Sequence, residues 1–178
     1  MEQQSVDTDI ALVNKIVSFI KETGLQCREG VLPDNTFLPG LTIEEGCIVY
    51  NTEHLLYPGD MIHEAGHLAV LLPEDRAVAN GDNMCGDLSA PGVEMSAIAW
   101  SWAAMKHMGL APEILFHKHG YAGGSESLIT AFSSGSYIGL PVLQWLGMTK
   151  EPKKGVEADE YTYPKMRHWL RREGTGKG

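Results

Sequence analysis

Two histidines stand four positions apart in the segment His63-Glu64-Ala65-Gly66-His67, and a glutamate directly follows the first of them. On an α-helix, four residues advance about 400° and about 6 Å, so both imidazoles leave the same face one turn apart. They can then bind one zinc ion through nitrogens at about 2.0–2.1 Å. Glu64 projects about 100° around the helix, where it can take a proton from a zinc-activated water without being a ligand. The pattern predicts a zinc site suited to metal-assisted hydrolysis.

The residues around this motif favour a buried helix. Met61-Ile62 precede it and Leu68-Ala69-Val70-Leu71-Leu72 follow it, so apolar side chains flank the histidines on both sides. Buried polar groups on such a helix need partners. A glycine inside a helix costs about 1 kcal/mol relative to alanine, so Gly66 indicates that another element approaches the helix closely. Two solvated histidines on a surface helix are the alternative, and the apolar flanks argue against it.

With these flanks, His63-Glu64-Ala65-Gly66-His67 resembles the motif of the zincin superfamily of metallopeptidases. The resemblance implies Zn²⁺ as the cofactor, a peptide or protein as the substrate, and Glu64 as the general base that passes its proton to the leaving amine. The residues after His67 contain no His-x-x-Gly-x-x-His extension, which excludes the metzincin branch at the level of the motif.

The third zinc ligand decides the branch of this superfamily, and Glu94 is the best candidate. It lies near the start of a second strong helix, where Glu94, Ala97, Ile98 and Ser101 share one face at helical spacing. A glutamate followed three residues later by a small residue, on a helix after the motif, resembles the gluzincins. The order of elements over about residues 8–108 is similar to that of the minigluzincins.

Other third ligands stay open at this point. Asp75, Asp82 and Asp87 lie between the two helices, and Glu126 begins a later helix. Glu94 itself has a simpler interpretation, because acidic residues are favoured near helix N-termini by the helix dipole. Two rivals to the peptidase also remain: a metal-binding domain without catalysis, serving regulation or assembly, and a metal-free module in which the histidines pair with carboxylates.

In zincins a His or Tyr often donates a hydrogen bond to the oxyanion, so the resemblance makes three further residues candidates for this role, namely His117, His119 and Tyr121 ahead of Gly123-Gly124. In other hydrolases, the loss of one such donor costs about 2.7–4 kcal/mol. The alternative is a helix terminus, where histidines near the last carbonyls are expected.

Four more side chains have weaker claims. His54 precedes the motif helix and is a candidate for the lining of a cleft. Cys85 lies between the two ligand helices and is a candidate to approach the metal, although a simple loop cysteine is the plainer interpretation. His107 and His168 are typical of a helix end and a tail.

The elements that must position these residues form a predominantly helical α+β domain over residues 1–178, with a core over about 8–148 and a polar tail over 149–178. Periodicity predicts helices over Asp9–Glu22, over Asp60 to about Leu72 with Asp60 as N-cap, over Pro91–Met108, from Pro112 to Gly120, and over 125–147 with breaks at its glycines and proline. We also expect a hairpin over 41–50, a long loop over 73–92, a last short helix over Tyr163–Arg172 and disorder over Glu173–Gly178. An extended peptide is expected to add to the edge of the hairpin and so align its carbonyl over the metal.

Composition excludes several classes of protein. The net charge of −9 argues against a nucleic-acid partner held through phosphates. No run approaches the ~18–20 apolar residues of a membrane span, and the N-terminus lacks the features of a signal peptide, so we expect no membrane partner and a cytoplasmic location. The three cysteines form no Cys-x-x-Cys pair, which argues against a thiolate zinc site. The sequence predicts no particular oligomeric state.

Overall fold

A computed structural model describes residues 9–81, 84 and 86–176. The longer helices are α1 (Ile10–Glu22), α2 (Gly59–Val70), α4 (Ala90–Met108) and α6 (Ser125–Ser133). Shorter helices are α3 (Pro73–Ala77), α5 (Pro112–Leu115), a 3-10 turn (Tyr121–Gly123) and α7 (Leu140–Trp145). The strands are β1 (Gln26–Glu29), β2 (Leu41–Glu44) and β3 (Cys47–Tyr50). The prediction of a mostly helical α+β fold is confirmed.

The small sheet has the strand order β1-β3-β2. The expected hairpin of β2 and β3 is confirmed as an antiparallel pair. β1 adds a parallel pair on the other side of β3. Residue 81 already uses part of the outer edge of β2, because the N–H of Gly81 donates to the carbonyl of Ile43 at 3.0 Å. A peptide added to this edge would therefore find only part of it free.

The core is built around the packing of α2 against α4. In α2, Met61, Ile62, Ala65, Leu68 and Ala69 are fully buried, as the apolar flanks of the motif predict. α4 buries most of its length, including the completely enclosed side chain of Trp100. Both helices that carry the candidate ligands thus form the centre of the molecule.

Helix ends differ from the sequence predictions in physically understandable ways. The N-cap of α1 is Asp9, whose side chain accepts a hydrogen bond from the N–H of Leu12. The prediction of Asp60 as the N-cap of α2 is wrong, because Pro58 takes that position and Asp60 lies in the first turn. The helix from Pro112 ends at Leu115 rather than at Gly120. The region 125–147 is broken after Ser133, as its glycines and proline predicted.

Three further predictions are corrected. The long loop over 73–92 contains α3, which begins with Pro73 and carries Glu74 and Asp75 in its first turn. No helix forms over Tyr163–Arg172; this segment instead packs on the core, and both Tyr163 and Arg171 are buried there. Residues 173–176, expected to be disordered, form turns beside it.

Among the described residues, no helix combines the length and apolar character that crossing a membrane requires.

Candidate metal centre

Both histidines lie on the face of α2 that is turned toward Glu94 of α4. The Nε2 atoms of His63 and His67 lie 3.0 Å apart, as expected for residues one turn apart. Their Nδ1 atoms are buried and have no hydrogen-bond partner among the described residues. The Nε2 atoms are therefore the ones that face outward from the helix into the site.

α4 brings Glu94 to the same place. Its N-cap is Ser89, whose hydroxyl accepts a hydrogen bond from the N–H of Gly92, so Glu94 lies in the second turn. The carboxylate of Glu94 spans both rings, with Oε1 3.3 Å from Nε2 of His63 and Oε2 3.0 Å from Nε2 of His67. The two helices together gather the three side chains that the motif and the gluzincin resemblance single out.

Gly66 permits this close approach of the helices. A Cβ at Gly66 would lie 2.8 Å from the carbonyl oxygen of Ala97 and 2.9 Å from Oγ of Ser101. The Ser101 hydroxyl is within hydrogen-bond distance of the carbonyls of Ala97, at 2.7 Å, and of Ile62 across the interface, at 3.2 Å. The packing predicted for the glycine in the motif is confirmed, and Ser101 on the face of Glu94 makes part of the contact.

The spacing of the donor groups fits a metal ion. Ligands about 2.0–2.1 Å from one tetrahedral zinc are separated from each other by about 3.3 Å. The two Nε2 atoms are 3.0 Å apart, and different oxygens of Glu94 approach them, Oε1 at 3.3 Å from His63 and Oε2 at 3.0 Å from His67. These contacts are also the pairing of the histidines with a carboxylate that the metal-free alternative predicts. Two imidazoles and a carboxylate are also a common ligand set for catalytic zinc. Within the described ranges, no second group of three or more His, Cys, Asp or Glu side chains is clustered closely enough to hold an ion.

The two sides of the site differ in exposure. The side chains of His63 and His67 are about one-seventh exposed, at 14% and 15%, whereas that of Glu94 is 47% exposed. Solvent thus reaches the cluster from the side of Glu94. The hydrogen bonds from His63 and His67 lower the pKa of the Glu94 carboxyl well below its usual range. Burial alone would lower the pKa of His67, but the hydrogen bond to Glu94 and the charge of Glu64 raise it overall.

Glu64 lies beside the cluster without belonging to the group of ligands. Burial raises the pKa of its carboxyl, the nearby His67 and His63 act in the opposite direction, and the charges of Asp60 and Glu94 add to the rise. Among the described residues, none donates a hydrogen bond to its carboxylate. A carboxylate with a raised pKa accepts a proton more readily than an ordinary carboxylate does, as a general base must.

Tyr121 forms the wall of the site next to His63. The two rings meet edge to face with their centroids 5.3 Å apart, and Phe116 supports Tyr121 at 5.0 Å. The phenol oxygen is buried and has no hydrogen-bond partner among the described residues. Tyr121 and Ala122 both adopt left-handed backbone conformations, with φ of 53° and 50°. Such strain in residues other than glycine is found most often at functional sites.

The Nε2 atom of His117 already contacts a carboxylate, so it is not free to donate to an oxyanion. Its Nε2 lies 2.8 Å from Oδ1 of Asp60 in the first turn of α2, and its ring stacks on Tyr57 at 3.9 Å. This pair ties the segment before Tyr121 to the motif helix. His119 is exposed, with its ring 5.8 Å from that of Tyr57. Of the three candidates for an oxyanion donor, Tyr121 is the one whose polar atom is unengaged beside the ligands.

The alternative third ligands lie elsewhere or outside the described residues. Asp87 binds Arg171 through both carboxylate oxygens, and neither Asp75 nor Glu126 belongs to the cluster. Asp82 and Cys85 lie outside the described residues.

The remaining histidines are also accounted for. His54 is exposed at a small cavity of about 250 Å³ lined by residues such as Leu32, Pro39 and Leu56. His107 packs against Phe19 and Trp169. His168 lies in the C-terminal segment, where burial, helped by neighbouring arginines, lowers its pKa. A cavity of about 580 Å³ also lies in the C-terminal region, between residues such as Gln144 and Arg167, and not at the cluster.

Sequence reasoning missed two features around the site. Asp60 was expected to cap the helix, and its partnership with His117 has no local sequence signal because the two residues are far apart in the chain. Arg171 was assigned to a polar tail, yet its guanidinium is fully enclosed beside the end of α2.

Comparison with protein-family models, curated proteins and solved structures finds no match for this chain.

Proposed function

We propose that this protein is a zinc-dependent hydrolase that cleaves peptide bonds, with His63, His67 and Glu94 as the metal ligands. The observation that carries the proposal is the convergence of these three side chains from α2 and α4 at separations of 3.0–3.3 Å. A zinc ion held by three protein ligands acts as a Lewis acid on a carbonyl and lowers the pKa of a water molecule toward about 7.

Glu64 is the general base in this proposal. Its place in the motif puts its carboxylate beside the ligands, and its raised pKa suits it to taking a proton from the attacking water and delivering it to the leaving amine.

Tyr121 donates a hydrogen bond to the oxygen of the scissile carbonyl as negative charge develops on it. Burial raises the pKa of the phenol, and the charges of Asp60, Glu94 and Glu64 raise it further, so the hydroxyl keeps its proton at neutral pH. Two observations support this assignment. The phenol oxygen of Tyr121 is buried and has no hydrogen-bond partner among the described residues, and its ring contacts that of His63.

The test compares the wild type with Glu64→Gln, and with Glu126→Gln as a matched surface control on α6. Zinc content is measured for each protein, and cleavage is measured on a library of unstructured peptides. We expect all three to bind zinc, Glu126→Gln to cleave like the wild type, and Glu64→Gln to cleave about 10²–10⁴-fold more slowly. Stoichiometric zinc without cleavage of any peptide by the wild type would reject the enzyme and leave a non-catalytic metal-binding domain.

A further inference from the structure

The end of α2 nearest His67 is held by two arginines from outside the helix. Arg76 of α3 donates from Nε to the carbonyl of Leu68 at 2.8 Å and from Nη2 to that of Leu71 at 2.9 Å. The backbone N–H of Arg171 donates to the carbonyl of Ala69 at 2.8 Å. These groups satisfy carbonyls that a helix end otherwise leaves unpaired, and they place positive charge where the helix dipole is negative.

The side chain of Arg171 then links this helix end to the segment that leads into α4. Its two terminal nitrogens bind the two oxygens of Asp87 at 2.6 and 2.8 Å, and Nη1 also lies 3.4 Å from the carbonyl of Val70. Asp87 lies just before Ser89, the N-cap of α4. One guanidinium therefore connects the last turn of the histidine helix to the segment that leads directly into the glutamate helix.

Other contacts of the same segment reach the middle of α4. We call residues 163–175 the C-terminal strap. The indole N–H of Trp100 donates to the carbonyl of Trp169 at 2.8 Å, and the hydroxyl of Tyr163 donates to the carbonyl of Ala99 at 2.8 Å. The strap thus contacts both ligand helices, and the side chain of Arg171 is its buried ionic contact, with 0% exposure against 38% for Asp87.

From these contacts we propose that Arg171 is a positioning residue of the metal centre, which sets the separation of His67 and Glu94 by tying the end of α2 to the start of α4. Arg171 touches neither the metal nor the substrate. This inference rests on the proposed zinc site, but its mechanical part, the coupling of the two helices, can be measured without metal.

The position is suited to arginine in particular. A guanidinium binds a carboxylate through two parallel hydrogen bonds, and this fixes both distance and orientation. Lysine would keep the charge but offer no planar fork. We therefore expect Arg171→Lys to recover only part of what Arg171→Met loses.

The experiment measures zinc affinity by chelator competition in the full-length wild type, Arg171→Met, Arg171→Lys and Asp87→Asn. Arg172→Met is the matched control, because the neighbouring Arg172 is exposed. Loss of a residue that orients metal ligands costs about 10–100-fold in affinity. We expect about tenfold weaker binding for Arg171→Met and a smaller loss for Asp87→Asn, with no change for Arg172→Met. Asn has nearly the same shape as Asp but no charge. Asp87→Asn therefore weakens the pair with Arg171 without removing a side chain, and it replaces Arg171→Met in the comparison if that variant fails to fold.

A second control separates positioning from general stability. Ile16→Ala removes a fully buried side chain from α1 and leaves the pair of Arg171 and Asp87 intact. At temperatures where each protein is folded, a role limited to stability predicts that Ile16→Ala and Arg171→Met lose zinc affinity in proportion to their loss of thermal stability. Positioning predicts a loss of affinity, and an altered absorption spectrum of bound Co²⁺, for Arg171→Met alone. Equal losses in the two variants, or wild-type affinity in Arg171→Met, would overturn the proposal.

Hydrogen exchange on the metal-free proteins supplies the readout that does not depend on the zinc site. In Arg171→Met, amide exchange should increase both at the end of α2 and over residues 92–96 of α4. If exchange increases only in the strap, the coupling is refuted. If exchange behaves as expected but the wild type binds no zinc, the coupling stands and the proposed function fails.

Discussion

Glu94 reaches His67 across the interface of α4 and α2, its Oε2 lying 3.0 Å from Nε2 of the imidazole. Gly66, next to His67, removes the side chain that would otherwise press on the backbone of Ala97. The site therefore depends on packing inside the core as much as on the ligands themselves.

Gly66→Ala tests this dependence. The added methyl would meet the Ala97 carbonyl at 2.8 Å, so the helices must separate, and we expect a loss of about 1–3 kcal/mol in the free energy of unfolding. Zinc affinity should fall as well, because Glu94 moves away with α4. Denaturant unfolding and zinc titration measure the two effects.

Gly92→Ala is the matched control for that substitution. A Cβ there meets only side-chain atoms, the nearest being Oγ of Ser89 at 3.2 Å. The alanine should therefore leave zinc affinity unchanged. Wild-type zinc affinity in Gly66→Ala would show that the close approach of the helices does not position the ligands.

The stability of the metal-free protein should depend on pH through the pair of Glu94 and His67. The pKa of His67 is raised above its ordinary value of 6.5, so its contribution is complete below pH 6.5 and is lost as pH rises through the raised pKa. The pKa of Glu94 is lowered from 4.5, so its contribution is complete above pH 4.5 and is lost as pH falls toward the lowered pKa. Urea unfolding in the presence of a chelator should show that the free energy of unfolding falls on both sides, along an acid limb from Glu94 and an alkaline limb from His67.

Glu94→Gln should flatten the alkaline limb, because His67 then loses its charged partner. Zinc binding should follow the opposite trend and strengthen as pH rises, because the imidazole of His67 must give up its proton before it can bind the metal. An alkaline limb that survives unchanged in Glu94→Gln would contradict the assignment of the pair.

Tyr121→Phe should separate catalysis from stability. Removing a buried hydroxyl that has no described partner should leave the free energy of unfolding unchanged or raise it by about 1 kcal/mol. Loss of an oxyanion donor should lower kcat about 10²–10³-fold, with zinc affinity unaltered. Tyr163→Phe is the counterpart, because its hydroxyl bonds to Ala99 and its loss should cost about 1 kcal/mol without changing kcat. A kcat close to that of the wild type in Tyr121→Phe would remove this residue from the mechanism.

Asp60→Asn and His117→Gln test the anchor of the segment that carries Tyr121. The contact between their side chains ties that segment to the first turn of α2, so either change should lower kcat while zinc stays bound. His119→Gln is the control, since His119 is exposed two residues away. Similar turnover in all three variants would indicate that the pair does not position Tyr121.

The convergence of His63, His67 and Glu94 was largely predictable because helical periodicity links residue spacing to side-chain direction. His63 and His67 share a face at any position on a helix, and the apolar flanks indicated that this helix is buried. Glu94 needed one further assumption, that the second helix lies against the first, and Gly66 supplied the signal for it.

Features set by distant contacts were not predictable from local patterns. β1 is mostly polar and buries only Cys27, so its strand conformation depends on pairing with β3. A short helix was expected over Tyr163–Arg172, but Tyr163 and Trp169 make hydrogen bonds with α4 instead. α3 did carry a local signal that the loop prediction overlooked, since Pro73 and two acidic residues are typical of a first helical turn.

X-ray absorption at the zinc edge, combined with metal analysis, tests the central claim most directly. The wild type, stripped of metal and given one equivalent of zinc, should bind one ion per chain with two imidazole nitrogens, carboxylate or water oxygens and no sulfur. Glu94→Ala should lose one oxygen ligand and bind zinc at least about tenfold more weakly. Failure of the wild type to bind zinc, or a sulfur ligand in its spectrum, would contradict the assignment of His63, His67 and Glu94.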